Sequence, residues 1–312
     1  MAEKTVIALG FFDGVHIGHG ALLRKTVERA KELDIAAQGA AENRVAPAAF
    51  TFDRAPKEFV TGVNVPLLTS VDERRALIRD LYGIERTIVA PFDRAMMTMP
   101  WQSFLERLVA RYGAAHLVAG HDYRFGYQNE GTPELLRDWC AAHGLGCDVI
   151  SKVELGGVTV SSTHIRALVE DGDVEHAAEF LGHPYAMTGE VAHGHRLGST
   201  ELFPTVNLMP EAWRVLPRRG VYAARATLWS GGVLAAVTNV GVRPTVGGGD
   251  DTVSVETHLI DWDGDIYGQP FKVEFLRFLR DERPFGSVPE LHAQIEADIA
   301  AARRFIRKSV KK

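Results

Sequence analysis

Cysteine is scarce in this chain: Cys140 and Cys147 are the two among 312 residues. That excludes a disulfide framework and a cysteine-built zinc site. Both read as small buried hydrophobes in a reducing compartment. The start has no long apolar run. Glu3 and Lys4 precede a stretch, residues 6–9, far shorter than a membrane span or signal-peptide core. A cytoplasmic protein with no membrane partner is the expectation. Positive charge is also short, with 35 Lys and Arg against 40 Asp and Glu, a net −5. No general field exists to grip a nucleic-acid backbone, so any anionic ligand must be held by a local constellation. The pattern G-x-x-x-x-G-K-[ST] does not occur, which excludes a P-loop. What is present is an ordinary globular balance, 46% hydrophobic and 24% charged, at a length of about two domains.

The two halves follow different patterns. Residues 6–9 form a continuous apolar run, as expected of a parallel strand buried on both faces. Leu23, Val27 and Ala30 then keep helical spacing. Residues 48–52, 87–90 and 116–119 read as further strands. Between them, Ser70 to Glu73 forms a capping box, Gly83 stops that helix, residues 101–112 form another, and Thr132-Pro133 opens a third. This alternation predicts a doubly wound parallel sheet over residues 1–184. From 185 to 312 strands dominate: 221–229, 233–240, 253–260 and 271–275, with turns at Ser230-Gly231-Gly232 and Asp263-Gly264. A closing helix starts from a capping box at Ser287 to Glu290. The prediction for this half is a small β-barrel with a packed helix.

Gly10-Phe11-Phe12-Asp13-Gly14-Val15-His16-Ile17-Gly18-His19 falls between the first strand and the first helix. In an open parallel sheet the ligand crevice lies at the carboxyl ends of strands. Glycines allow close backbone approach, and the next helix offers its N-terminus to an anion. Two histidines three apart can face one phosphate and donate to charge growing on a leaving pyrophosphate. Metal binding by His-x-x-His finds no third ligand nearby in sequence. Gly120 to Gly126 follows another strand into the same crevice. Ser161-Ser162-Thr163-His164-Ile165-Arg166 sets hydroxyls at a helix start, where they also suit N-capping, and an arginine one turn on. An arginine beside a helix N-terminus is unfavourable unless an anion binds there. In the second half, period two puts Thr205 and Asn207 on one face, where neutral oxygens can share a magnesium ion or simply be hydrogen-bonded. Residues 239–245 read as a turn, and Glu256 sits in a strand.

These motifs resemble the bifunctional bacterial riboflavin kinase / FAD synthetase family over essentially the full length. Phe12 to His19 is similar to its FDGVHxGH, Gly120 to Gly126 to GxDFRFG, and Ser161 to Arg166 to SSTxIR. Phe203 to Asn207, Val240 to Thr245 and the strand around Glu256 match its kinase half. The resemblance implies an α/β nucleotidyltransferase domain of HxGH type, residues 1–184, that adenylylates FMN to FAD. It also implies a six-stranded riboflavin kinase barrel, residues 185–312, that phosphorylates riboflavin with Mg-ATP. His16, His19 and Arg166 would be catalytic in the first half. Gly10, Phe12, Asp13, Gly18, Ser162 and Thr163 would bind ATP there, with Asp122, Arg124 and Phe125 near the flavin or adenylate. In the second half Glu256 would be the base, Thr205 and Asn207 would hold Mg2+, and Gly189, Gly194 and Gly198 would close over ATP. The chain departs from the family pattern at Ser199, Leu202, Arg54-Ala55-Pro56 and Gln128-Asn129. The rival functions are a paralogue with one half silenced and a non-catalytic flavin-binding regulator. The oligomeric state is left open.

Overall fold

The computed structural model describes residues 4–36, 44–191, 205–243, 252–262, 264, 266 and 268–309. The chain divides into two compact units, Met1–Ser162 and Thr163–Lys312.

The first unit carries β1 (Lys4–Leu9), α1 (Ile17–Ala36), β2 (Val45–Phe52), α2 (Pro56–Thr61), α3 (Val71–Tyr82), β3 (Arg86–Ala90), α4 (Arg94–Met97), α5 (Trp101–Tyr112), β4 (Ala114–Gly120), α6 (Pro133–Ala142) and β5 (Gly146–Ile150). A two-stranded ribbon, β6 (Glu154–Leu155) and β7 (Val158–Thr159), follows. The main sheet has order β3-β2-β1-β4-β5 with every pairing parallel, the doubly wound sheet expected. Alternation along β1 explains its two cores. Ile7 and Leu9 pack with Leu105, Leu108 and Leu136 on one face. Val6 and Ala8 pack with Leu23 and Ile78 on the other. The capping signals at Ser70, Gly83 and Thr132 are met. Ser70 accepts from Glu73 N–H while Glu73 accepts from Ser70 N–H, Gly83 is left-handed, and Thr132 accepts from Leu135 N–H. The strand order reverses at β1 and β4, so the crevice outside their carboxyl ends is the ligand position of such sheets.

The second unit contains α7 (Ser162–Asp171, its first residue shared with the division), α8 (Val174–Leu181), β8 (Tyr185–Glu190), β9 (Thr205–Leu208), β10 (Gly220–Leu228), β11 (Val233–Arg243), β12 (Thr252–Leu259), β13 (Pro270–Arg280) and α9 (Val288–Ser309). Its strands form one antiparallel sheet of order β8-β13-β10-β11-β12-β9. The sheet curls into a half-barrel: a Cβ on Gly189 of β8 would lie 3.4 Å from Leu208 of β9, at the opposite edge. Residues 239–243, expected as a turn, continue β11 instead. Val240 and Val242 keep the strand's alternation and face Val255 and Val253 in register. Gly194, Gly198, Ser199, Leu202 and residues 244–251 lie outside the described residues. At α9 the capping box is altered, because Glu290 accepts from Gly286 N–H while Ser287 accepts from Glu290 N–H.

Ala302 of α9 packs with Val221, Ala223 and Val237. The helix is also tied to β13 by Arg280, which makes a two-pronged pair with Asp298 at 2.8–3.1 Å. The Asp298 side chain is 6% exposed. Replacing Asp298 by Ala leaves a partly buried guanidinium unpaired and should destabilise the second unit by roughly 3 kcal/mol. Urea unfolding of the full chain, followed by a probe in that unit, checks this; an unchanged midpoint would remove the pair from the account of how α9 is held.

Candidate active sites

In the first unit the chain leaves β1 through a turn that few residues can adopt. Phe12 has φ +58° and Val15 φ +43°, both left-handed and neither glycine. A β-branched residue there is a genuine outlier, and such positions cost roughly 1–3 kcal/mol each. The surroundings hold the turn in place. Asp13, 2% exposed, accepts from Leu68 N–H at 2.9 Å, Thr69 N–H at 3.1 Å and the Thr69 hydroxyl at 3.2 Å. The Thr69 hydroxyl in turn accepts from Gly14 N–H at 2.9 Å. Phe12 is fully buried, and a Cβ on Gly10 would sit 2.8 Å from its ring. Asp13, Phe12 and Gly10, expected at the nucleotide, are thus the framework of the turn.

The turn delivers the two histidines to one place. His16 precedes α1 in extended conformation and its Nδ1 accepts from His19 N–H at 3.2 Å, so the imidazole caps the helix. That bond assigns the remaining ring proton of neutral His16 to Nε2. The rings stack with centroids 3.6 Å apart, and Phe12 meets His19 edge-on at 5.2 Å. A Cβ on Gly18 would be 3.1 Å from the His16 ring, so this glycine makes room for the pair. Burial, then the neighbouring His16 and Arg74, push the His19 pKa well below its ordinary 6.5. Its Nδ1 is buried with no hydrogen-bond partner among the described residues. At a helix N-terminus, ring N–H groups of these imidazoles can donate to phosphate oxygens.

Ser162 joins this site by donating to the Asp13 carbonyl at 2.9 Å. Thr163 is exposed, and Arg166 is half-buried one turn along α7. Beyond β4, Asp122 and Arg124 are exposed while Phe125 is buried against Trp101, Phe104 and Tyr123. Gly126, with φ +74°, passes so close to Trp101 that a Cβ would fall 2.4 Å from that residue. Gln128 and Asn129, where the sequence departs from the family pattern, are left-handed as well. Two residues of this site gave no sequence signal as functional, Thr69 and Arg74. Arg74 is detectable as a charge on the apolar stripe it shares with Ile78.

In the second unit the site is a row across three strands. Glu256 of β12 stands in register between Asn239 of β11 and Asn207 of β9. Directly opposed residues project from the same face with Cβ atoms roughly 4.5–5.5 Å apart. Thr205, two residues from Asn207, therefore shares that face and stands opposite His258. The other face is closed by a buried Thr238–Thr257 contact at 3.0 Å. Asn207 and Ser254 are 3% exposed, and Ser254 lies 3.5 Å from the Glu256 carboxylate. Asn239 donates to Glu282 at 2.9 Å, and its Oδ1 is buried without a partner among the described residues. Gly241 leaves room for that carboxylate, since a Cβ there would fall 2.3 Å from Glu282. Beside Thr205, a recess is lined by Val191, Val206, Leu259, Trp262 and Ile266. Thr205, Asn207 and Glu256 are all oxygen donors on one face, the donor set that suits magnesium. Gly189 is the remaining residue of the expected ATP cover that is described, in β8.

Two family models match the chain: FAD synthetase over residues 1–164 and riboflavin kinase over residues 181–306. A bifunctional riboflavin kinase/FMN adenylyltransferase of Pseudomonas fluorescens is 34% identical over 96% of this chain and 92% of that protein. The chain belongs to the bifunctional riboflavin kinase/FMN adenylyltransferase family. The same name is carried by relatives from Bacillus subtilis, 32% identical over 97% of this chain and 92% of theirs, and Escherichia coli K12, 34% over 97% and 93%. A solved structure described as a macrolide-efflux protein from Streptococcus pneumoniae superposes with a TM-score of 0.83 at 28% identity, covering 97% of this chain and 95% of that one. No helix among the described residues here is long and apolar enough to cross a membrane. Both halves of the family are present, and the chain has riboflavin kinase and FMN adenylyltransferase activities that make FMN and FAD.

His19 yields a pH prediction. The folded first unit holds it neutral, whereas the unfolded chain takes up a proton near pH 6.5. Protons therefore favour unfolding, and stability should fall as pH drops below that value. Urea midpoints between pH 7.5 and about 5 should decline in the parent and decline less in His19→Asn. Equal slopes in the two proteins would contradict the assignment of a neutral His19 in the folded unit.

Proposed function

We propose that the two reactions divide between the two sites, with riboflavin phosphorylated at the Asn207–Glu256–Asn239 row and FMN adenylylated at the His16–His19 turn. The functional domains are then residues 1–184 and 185–312. The single observation that supports the division is that His16 and His19 stack at the turn after β1 in the first unit, while Asn207, Glu256 and Asn239 stand in one register row in the second.

In the kinase half, the Glu256 carboxylate takes the proton of the ribityl 5′-hydroxyl as its oxygen attacks the γ-phosphorus of ATP and ADP leaves. Thr205 and Asn207 are the groups that would hold magnesium, and Gly189, Gly194 and Gly198 belong to the segment that covers the nucleotide. When bound, the ion neutralises phosphate charge. Phosphoryl transfer needs little beyond alignment, charge neutralisation and a base. In the adenylyltransferase half, an FMN phosphate oxygen attacks the α-phosphorus of ATP, and pyrophosphate leaves with both bonding electrons. His16 and His19 donate to phosphate oxygens, Ser162, Thr163 and Arg166 bind the phosphates, and Gly10, Phe12, Asp13 and Gly18 keep the turn open to them. Asp122, Arg124 and Phe125 form the loop on the flavin side. The reduced thiols and acidic balance suit a cytoplasmic enzyme whose ligands are riboflavin, FMN, FAD and ATP.

Incubation with riboflavin and Mg-ATP, followed by separation of flavins, tests the division. Glu256→Gln should lower FMN formation by about 10²–10⁴-fold and leave adenylylation of supplied FMN intact. His19→Ala should lower FAD formation by about 10²–10³-fold and leave FMN formation intact. Either variant losing both activities equally would overturn the assignment of sites to halves. Removing divalent cations with a chelator should stop FMN formation, and magnesium should restore it.

A further inference from the structure

Arg74 is a buried charge that neither family motif contains. It lies in α3, 1% exposed, beside Ile78 on the side of the helix that faces the core. Its Nη1 donates to the Phe11 carbonyl at 2.8 Å, the Thr51 hydroxyl at 3.1 Å and the Phe52 carbonyl at 3.3 Å. The guanidinium also lies 4.4 Å over the Phe11 ring, and Nε reaches the Ser70 carbonyl at 3.4 Å. Its Nη2 is buried with no hydrogen-bond partner among the described residues. Burying a guanidinium with its donors incompletely met is unfavourable, and an apolar side chain of similar volume often serves stability as well or better.

We propose that Arg74 is a positioning residue of the adenylyl-transfer site, fixing the Phe11 carbonyl and through it the aim of the His16–His19 pair. The argument is one of backbone geometry. The Phe11 carbonyl belongs to the peptide plane that joins Phe11 to Phe12, and Phe12 is held at φ +58°. Rotating that plane would relieve the left-handed strain and turn the carbonyl away. Two donors oppose the rotation, the Thr51 hydroxyl at 2.7 Å and Arg74 Nη1. Thr51 and Phe52 are in β2, so the clamp references the turn to the neighbouring strand. Phe12 then meets His19, which stacks on His16. The same charge contributes to keeping His19 neutral. The proposal rests on the reading of this turn as the adenylyl-transfer site.

The test uses the full chain with Arg74→Met, Arg74→Lys and His19→Ala in parallel. Steady-state FMN adenylylation is measured, with riboflavin phosphorylation as internal comparator and urea unfolding of the first unit as a check on folding. Arg74→Met should lower kcat for adenylylation about 100-fold, the scale expected of an ångström-size misalignment. The KM for ATP should stay within about threefold, because substrate binding is left in place while alignment is lost. Arg74→Lys, which keeps the charge and one donor, should recover part of kcat. If Arg74→Met keeps its kcat while His19→Ala is inactive, the proposal fails and the site reading stands. If His19→Ala stays active, the site reading fails and takes this proposal with it. If Arg74→Met loses kcat only in step with loss of cooperative unfolding, and Lys recovers nothing, Arg74 belongs to the fold alone and the proposal is overturned.

Discussion

A peptide plane held against its own preference organises the adenylyltransferase half. The turn after β1 carries two left-handed residues that are not glycine, Phe12 and Val15, so left alone it would relax. Opposing this are buried polar groups that find partners only when the turn keeps its shape. The Asp13 carboxylate is occupied by the backbone of residues 68–69, and the Phe11 carbonyl by Thr51 and Arg74. Opening the turn would strip the buried Asp13 carboxylate of its backbone donors and the Phe11 carbonyl of Thr51 and Arg74, which is costlier than the strain. The stacked imidazoles, and the helix end that His16 caps, are downstream of that balance.

The kinase half obtains its alignment differently. Asn239, Glu256 and Asn207 are adjacent because β11, β12 and β9 are hydrogen-bonded in one register. Their spacing is that of any three neighbouring strands, set by the ladder and not by a strained loop. From outside the row, Glu282 accepts from Asn239, with Gly241 leaving space for that carboxylate, and Ser254 lies 3.5 Å from Glu256. On the proposed assignment of sites, one chain holds phosphate chemistry in two mechanical ways, by a braced turn and by sheet register.

Much of this was legible in the residues. The Ser70–Glu73 capping box, Gly83, the apolar run of β1 and the proline opening α6 are local signals, and each sits where local physics puts it. His16 and His19 could be assigned to a strand-to-helix turn because chain order alone dictates that. The strand nature of residues 239–243 was hidden by Gly241 and Arg243-Pro244, which read as turn residues although β12 pairs with the segment up to Arg243. Arg74 and Thr69 were hidden for another reason. Their partners, Phe11 and Asp13, are more than fifty residues away, and no spacing rule connects them. The motif singled out Asp13, but its role as an internal brace required knowing that the backbone of residues 68–69 donates to it.

The register that builds the kinase row has a consequence for how this protein can vary. Side chains alternate between faces along β9, so Asn207 and Thr205 point one way and Val206 and Leu208 the other. A one-residue insertion or deletion inside that four-residue strand would turn Asn207 into the apolar interior and bring a valine or leucine to Glu256. Length is therefore as tightly constrained as identity in β9 and in the paired stretch of β12. The hairpin tip at 230–232 carries no such demand, since a Cβ added at Gly231 or Gly232 would meet nothing closer than 3.7 Å. Insertions should accumulate at that tip and be absent from the row, so that an absence of gaps marks the row as much as the residues in it.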